Sequence, residues 1–212
     1  MKQHWRRLLP AMVLAVLMTS GRLPAFADDS DDCAEKKGDV AIAACSRAIA
    51  SGHWKGADQA DNFYNRGLDY YAKGDHARAL ADFSAAIGID PTMFDAYDDR
   101  GNVYYAKHDY DRAIADYSVA IKLSPKDPRA YHNRGTAYVD QGDRERAFAD
   151  FSSAIRLDPQ QADTLYSRGL IYKERGDLDH ALADFEAAAR LDPDDADTQT
   201  QIEAVRATLK RH

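Results

Sequence analysis

Only two cysteines occur in this chain of 212 residues, Cys33 and Cys45. They are not spaced as C-x-x-C and no histidine cluster lies near them, which argues against a dithiol redox motif or a zinc site. No Gly-rich phosphate loop, nucleophile elbow or other metal-ligand spacing is present. Basic runs are absent too, so phosphate backbones and anionic lipid surfaces are poor partners. The apolar run from Leu8 to Met18 stops well short of the roughly 20 residues that cross a bilayer, and nothing later in the chain could span one.

What is present begins with the first 27 residues. Lys2, Arg6 and Arg7 precede the apolar run, and Ala25-Phe26-Ala27 closes it with small residues around Phe26. This is the pattern of a secretory signal peptide cleaved after Ala27. The pair Arg6-Arg7 hints weakly at the twin-arginine route. The chain carries 28 Lys and Arg against 35 Asp and Glu. Loss of residues 1–27 removes Lys2, Arg6, Arg7 and Arg22 and no acid, taking the net charge from −7 to −11. The expected product is an acidic exported protein, in a bacterial periplasm or secreted, with no membrane insertion after cleavage. With 45% apolar residues it can still build a substantial core.

The rest repeats itself. Arg-Gly stands at 66-67, 100-101, 134-135 and 168-169, and Pro at 91, 125, 159 and 193, each series advancing by 34 residues. Tyr70, Asp75, Ala79 and Phe83 recur in phase, the last as Tyr117, Phe151 and Phe185. Four units cover 60–93, 94–127, 128–161 and 162–195. Within a unit, Phe63, Gly67 and Tyr70 share one helical face, Gly74-Asp75 breaks that helix, and Ala79, Phe83, Ala86 and Ile87 mark a second one that Asp90-Pro91 ends. Each unit is thus a helix hairpin in which small residues allow close approach beside a ring. One hairpin cannot bury both faces, so the expected fold is an all-helical stacked solenoid.

Phe63-x2-Arg66-Gly67-x2-Tyr70, Ala79-x3-Phe83 and Pro91, repeated four times, resemble the tetratricopeptide repeat (TPR) pattern W-x2-L-G-x2-Y, A-x3-F, P. The resemblance covers residues 60–195 and implies a right-handed superhelix. The departure from it is arginine in the leucine place: Arg66, Arg100, Arg134 and Arg168. Asp82, Asp116, Asp150 and Asp184 precede the second-helix ring in every unit. These series either pair between helices, in a bidentate contact, or remain separately solvated charges worth little.

Residues 28–59 read as a degenerate half repeat and a loop. "AIAACSRAI" at 41–49 copies "ALADFSAAI" at 79–87 and puts Cys45 in the ring's place. A stub from about Asp32 to Lys37, too short to hold itself by packing, would carry Cys33. An even cysteine count in an exported chain points to a Cys33–Cys45 disulfide, stabilising by roughly 3 kcal/mol. Residues 50–59 are expected as a loop with Trp54 over the stub. Residues 196–212, with Ile202, Val205 and Leu209 on one stripe, fit a capping helix.

No catalytic set, metal site or cofactor site is legible. The histidines do not converge and the acids follow the repeat, so no enzyme is expected. The family's first helices line a concave groove, and the resemblance assigns to it Asp61, Tyr64, Leu68 and Tyr71; Asp95, Asp98, Asn102 and Tyr105; Arg129, His132, Thr136 and Val139; and Asp163, Tyr166, Leu170 and Lys173. Tyrosines there suit a peptide, or serve as half-buried supports between helices. Family members that grip a terminal carboxylate use lysine, asparagine and arginine. Asn102 and Asn133 match, but Asp98, Asp163 and Ser167 take the basic places, which disfavours that mode; the acidic first and second units suggest a partner with basic residues and an acidic or polar patch facing Arg129. A small-ligand or envelope-polymer binder using the tyrosines is the alternative.

Overall fold

A computed structural model describes residues 26–211; the expected leader lies outside them except for its last two residues. Among the described residues there are eleven helices and no strand. The helices α1 (Phe26–Glu35) and α2 (Gly38–Ser51) form a first hairpin. Four more follow: α3 (Gly56–Ala72) with α4 (His76–Ile89), α5 (Phe94–Ala106) with α6 (Tyr110–Leu123), α7 (Pro128–Gln141) with α8 (Arg144–Leu157), and α9 (Ala162–Glu174) with α10 (Leu178–Leu191). α11 (Ala196–Leu209) closes the stack by laying Ile202 and Val205 on the core around Phe185. Each helix packs on its chain neighbours, which makes the array a solenoid.

Local chemistry sets the breaks. Asp75, Asp109, Asp143 and Asp177 cap the second helices, accepting from the backbone N–H of Arg78, Arg112, Arg146 and His180. The preceding turn is left-handed at Gly74, Gly142 and Gly176, and the second unit forces His108 into the same conformation at φ 57°. Inside each hairpin a glycine faces a ring. A Cβ on Gly67, Gly101, Gly135 or Gly169 would lie 2.7, 2.6, 2.7 or 2.8 Å from the ring of Phe83, Tyr117, Phe151 or Phe185. Those four rings are at most 1% exposed.

The arginine and aspartate series pair. Arg66, Arg100, Arg134 and Arg168 each make two parallel bonds to Asp82, Asp116, Asp150 and Asp184, with Nε–Oδ2 at 2.7–2.8 Å and Nη2–Oδ1 at 2.8 Å. The third nitrogen, Nη1, reaches back to the preceding hairpin and donates to Ser46, Ser84, Ser118 or Ser152 at 3.0–3.4 Å. One guanidinium therefore joins three helices of two hairpins. The aspartates are buried and the arginines about one-fifth exposed, so neither charge is well solvated without the other.

The N-terminal hairpin differs from its sequence reading in two respects. The partner of α2 is no stub at 32–37 but the helix Phe26–Glu35, and its Asp29 holds Arg47 of α2 at 2.6 Å. The loop is not 50–59 but 52–55, because α2 runs to the left-handed Gly52 and α3 starts at Gly56 with Asp58 in its first turn. Trp54 sits half-buried in that loop against the His53 ring, centroids 5.3 Å apart. The Cys33–Cys45 disulfide is formed, with Cα atoms 4.7 Å apart. Cys45 stands at the same point of α2 as Phe83 does of α4, so the bond ties the ring place of this hairpin to the last turn of α1.

Replacing Arg134 with Leu should cost about 3 kcal/mol in urea unfolding, because Asp150 is left buried and unpaired. Replacing both residues, by Leu and Ala, should recover most of that loss; strict additivity would show that the pair is uncoupled. Gly135→Ala should destabilise by about 1–3 kcal/mol through collision with Phe151, whereas Gly88→Ala, where a Cβ meets nothing within 4 Å, should stabilise by roughly 0.5–1 kcal/mol. Cys33→Ala/Cys45→Ala should lose roughly 3 kcal/mol, with hydrogen exchange rising first in α1 and α2.

Candidate functional site

The repeat symmetry breaks in its second unit, on the face made by the first helices. One phase of that face carries a ring in three units. Tyr64 lies over Phe83, His132 over Phe151 and Tyr166 over Phe185, with centroids 5.6–5.8 Å apart. The second unit has Asp98 there. It also has Asn102 where units one and four have Leu68 and Leu170, and Tyr117 where the others have phenylalanine. A short carboxylate in place of a ring leaves space. A cavity of about 560 Å³ opens beside it, walled by Asp98, Asp99 and Asn102 of α5 and by Arg129, His132 and Asn133 of α7. The start of α9 closes it with Gln161, Ala162, Asp163 and Thr164, and Asp192 contributes from beyond α10. A smaller space of about 240 Å³ shares Asn102, His132 and Asn133 and adds Tyr105, Tyr117 and Thr136.

Hydrogen bonds fix these walls across hairpins. Asn133 Nδ2 donates to both oxygens of Asp98 at 3.1 and 3.2 Å. The Tyr64 hydroxyl donates to Asp99 at 2.7 Å, Asn102 Nδ2 donates to Asp99 at 3.3 Å, and Tyr117 donates to Asn102 Oδ1 at 2.8 Å. His132 Nδ1 lies 2.8 Å from Thr164 Oγ1, which itself donates to Gln161 Oε1 at 2.9 Å. With that hydroxyl proton engaged, Nδ1 is the imidazole's donor.

Electrostatically the cavity is acidic. Burial pushes the Asp98 carboxyl up to about 6, against the pull of the Asn133 amide and with help from Asp99. Asp99 is also raised by burial. Burial lowers His132, keeping it neutral at pH 7, and raises the Tyr64 phenol. Arg129, the cation among the lining residues, is already engaged. It donates to Asp95 and Asp127 at 2.9 Å each and lies over the Phe94 ring.

The residues assigned to the groove thus divide. Asp98, Asn102, Arg129 and His132 meet at the cavity, and Tyr105 and Thr136 line the adjoining space. Tyr64 and Asp95 act through Asp99 and Arg129. Leu68 and Tyr71 pack on the core around Phe83, and Leu170 and Tyr166 on that around Phe185. Lys173 donates to Gln201 of α11 at 2.6 Å, Val139 packs on the Phe151 core, and Asp61 is solvent-exposed. Asp99, Gln161, Thr164 and Asp192 were not anticipated. Asp99 adjoins Asp98 in sequence, a signal of a kind, but only the winding of the stack brings in Asp192.

Stacked helix hairpins with a polar cavity across consecutive first helices define a helical-repeat interaction module. Family models described as TPR repeat match residues 67–107 and 101–142, and one described as tetratricopeptide repeat matches 143–210. The chain belongs to the tetratricopeptide repeat family. No curated protein matches it. Among solved structures it is similar to MamA 41-end from Desulfovibrio magneticus RS-1, with TM-score 0.69 and 20% identity over 81% of this chain and 95% of that one. YrrB, described as a TPR protein with an unusual peptide-binding site, gives TM-score 0.67 and 24% identity over 80% and 85%. The first TPR of Spaghetti (RPAP3), bound to the HSP90 peptide SRMEEVD, gives TM-score 0.54 and 23% identity over 57% and 96%. At such identities the likeness is one of fold.

A carboxyl whose folded-state pKa exceeds the unfolded value favours folding while protonated. For Asp98 that contribution is complete below about pH 4 and is lost as pH rises through about 6. Asp98→Asn should therefore raise stability at pH 7.5 by on the order of 2–3 kcal/mol, leave it nearly unchanged at pH 4, and flatten the profile between, as thermal melts across that range would show.

Proposed function

We propose that this protein is an exported, non-catalytic adaptor or scaffold, working in a bacterial periplasm, that holds a partner protein segment with basic residues against α5, α7 and α9. The observation that carries this reading is the acidic cavity shared by those three helices, where Asp98, Asp99, Asp163 and Asp192 outnumber the single, already paired Arg129. The peptide-binding site described for YrrB and the peptide bound by the Spaghetti repeat are precedents for the fold. An acidic tail like SRMEEVD would meet repulsion here, because Asp98 and Asp163 stand in place of cations. Export is supported by residues 1–27 and by a disulfide that oxidising compartments preserve. The absence of catalysis is supported by the state of His132: its Nδ1 donates to the Thr164 hydroxyl, whose own proton goes to Gln161, so the neutral imidazole is not placed as a base toward that hydroxyl.

The cavity's volume also suits a small cationic ligand, and the two readings separate by extent: a peptide should engage several units, a small ligand one. The protein processed at Ala27, its Asp163→Lys variant and its Tyr64→Ala/His132→Ala variant would each be used to capture partners from periplasmic extract. A protein retained by the wild type and lost by both variants supports the adaptor reading. Equal recovery by all three, or none by any, overturns the groove assignment. Mass spectrometry of the protein recovered from its natural host should find an N-terminus at Asp28.

A further inference from the structure

Taking the cavity as the partner-binding site, we infer that Asp98 is its specificity-determining residue: it receives one cationic side chain of the partner and releases its own proton to solvent as that side chain enters. The chain itself shows how it satisfies buried aspartates. Among the described residues six are buried: Asp69, Asp82, Asp98, Asp116, Asp150 and Asp184. Four of them are held bidentately by an arginine, and Asp69 accepts the Gly38 backbone N–H at 2.7 Å. Asp98, only 4% exposed, has a single neutral amide for both oxygens and lines an open cavity. A carboxylate has about four acceptor positions, and one amide cannot supply a charge.

Its surroundings supply none. On its own helix it sees Asp95 and Asp99, and from α7 it faces Arg129, committed to Asp95 and Asp127, and His132, neutral through burial. Tyr117 approaches from α6, Tyr64 reaches the neighbouring Asp99 from α3, and Asp127, Asp163 and Asp192 add negative charge from the α6–α7 connection, α9 and beyond α10. In this setting the buried carboxyl keeps its proton to about pH 6. A guanidinium or ammonium beside it reverses the balance, because an opposite charge favours the ionised form. The carboxylic acid then loses its proton to buffer and the carboxylate pairs with the incoming cation. The fourfold arginine clamp is thereby completed at a fifth aspartate, with the arginine or lysine supplied by the partner.

The inference rests on the groove reading but has its own test. The processed protein would be titrated by calorimetry with acetyl-Gly-Arg-Gly amide, acetyl-Gly-Lys-Gly amide and the uncharged citrulline peptide, at pH 5 to 7.5 and, at pH 6, in two buffers of different ionisation enthalpy. The expected result is binding of a charged peptide and not of the citrulline peptide, about tenfold weaker at pH 5 than at pH 7.5, with about half a proton released at pH 6. Asp98→Asn, its folding checked by circular dichroism, should bind more weakly with no pH slope and no proton release. Asp163→Asn, at an exposed position, should weaken binding and keep the slope. Equal binding of the citrulline peptide, an unchanged slope in Asp98→Asn, or no binding of either charged peptide overturns the inference. The groove reading falls separately, on the capture experiment.

Discussion

A single guanidinium that bonds two helices of its own hairpin to one of the hairpin before it is the contact on which the rest of this solenoid depends. It occurs four times with nearly identical geometry. In the family pattern the same place is leucine, which would contribute non-directional packing. Arginine exchanges that for directional bonding at fixed geometry, at the cost of burying a charge that only its aspartate compensates. The glycine-to-ring contact beside it sets how close the two helices lie, and the clamp then fixes where the next hairpin sits. The closeness of each helix pair and its join to the hairpin before it both follow from these two devices.

The first hairpin shows what happens where the ring is missing. α1 has only ten residues and α2 is alanine-rich, so there is little apolar surface to secure the pair. A covalent bond from the ring place of α2 to the last turn of α1 stands where later hairpins have a packed ring, and Ser46 still accepts from Arg66 as its counterparts do later. The hairpin is joined to the solenoid by the common rule and closed internally by an exceptional one.

The cavity is a second exception to the repeat. Units one, three and four stack a ring on the buried aromatic, while unit two has a carboxylate, an asparagine and a tyrosine hydroxyl in the corresponding places. Tyr117 donates to Asn102, and Asp98 is held separately by Asn133 of the next hairpin, so the unit gives up its stacked ring for polar groups that a purely structural repeat has no reason to accept. The result is a polar chamber on the face made by the first helices.

Repeat length and the two-helix unit were legible in the chain because each rests on local periodicity or on a pattern that recurs in phase, and the in-phase series of Arg66 and Asp82 with their counterparts left pairing as one of two readings. The disulfide was legible because two cysteines leave one pairing. The length of α1 and the early start of α3 were not, since weak helical segments form there through docking and end electrostatics. The sequence could place Asp98 and His132 on one face, but it could not separate Leu68 and Tyr166, which pack inward, from Asn102, which borders the cavity. By itself, the chain determined the unit and how each unit closes. Only the tertiary structure decided which residues of distant units share a space, because Asp98, Asp163 and Asp192 meet through the accumulated rotation of the stack, and no local pattern encodes that sum.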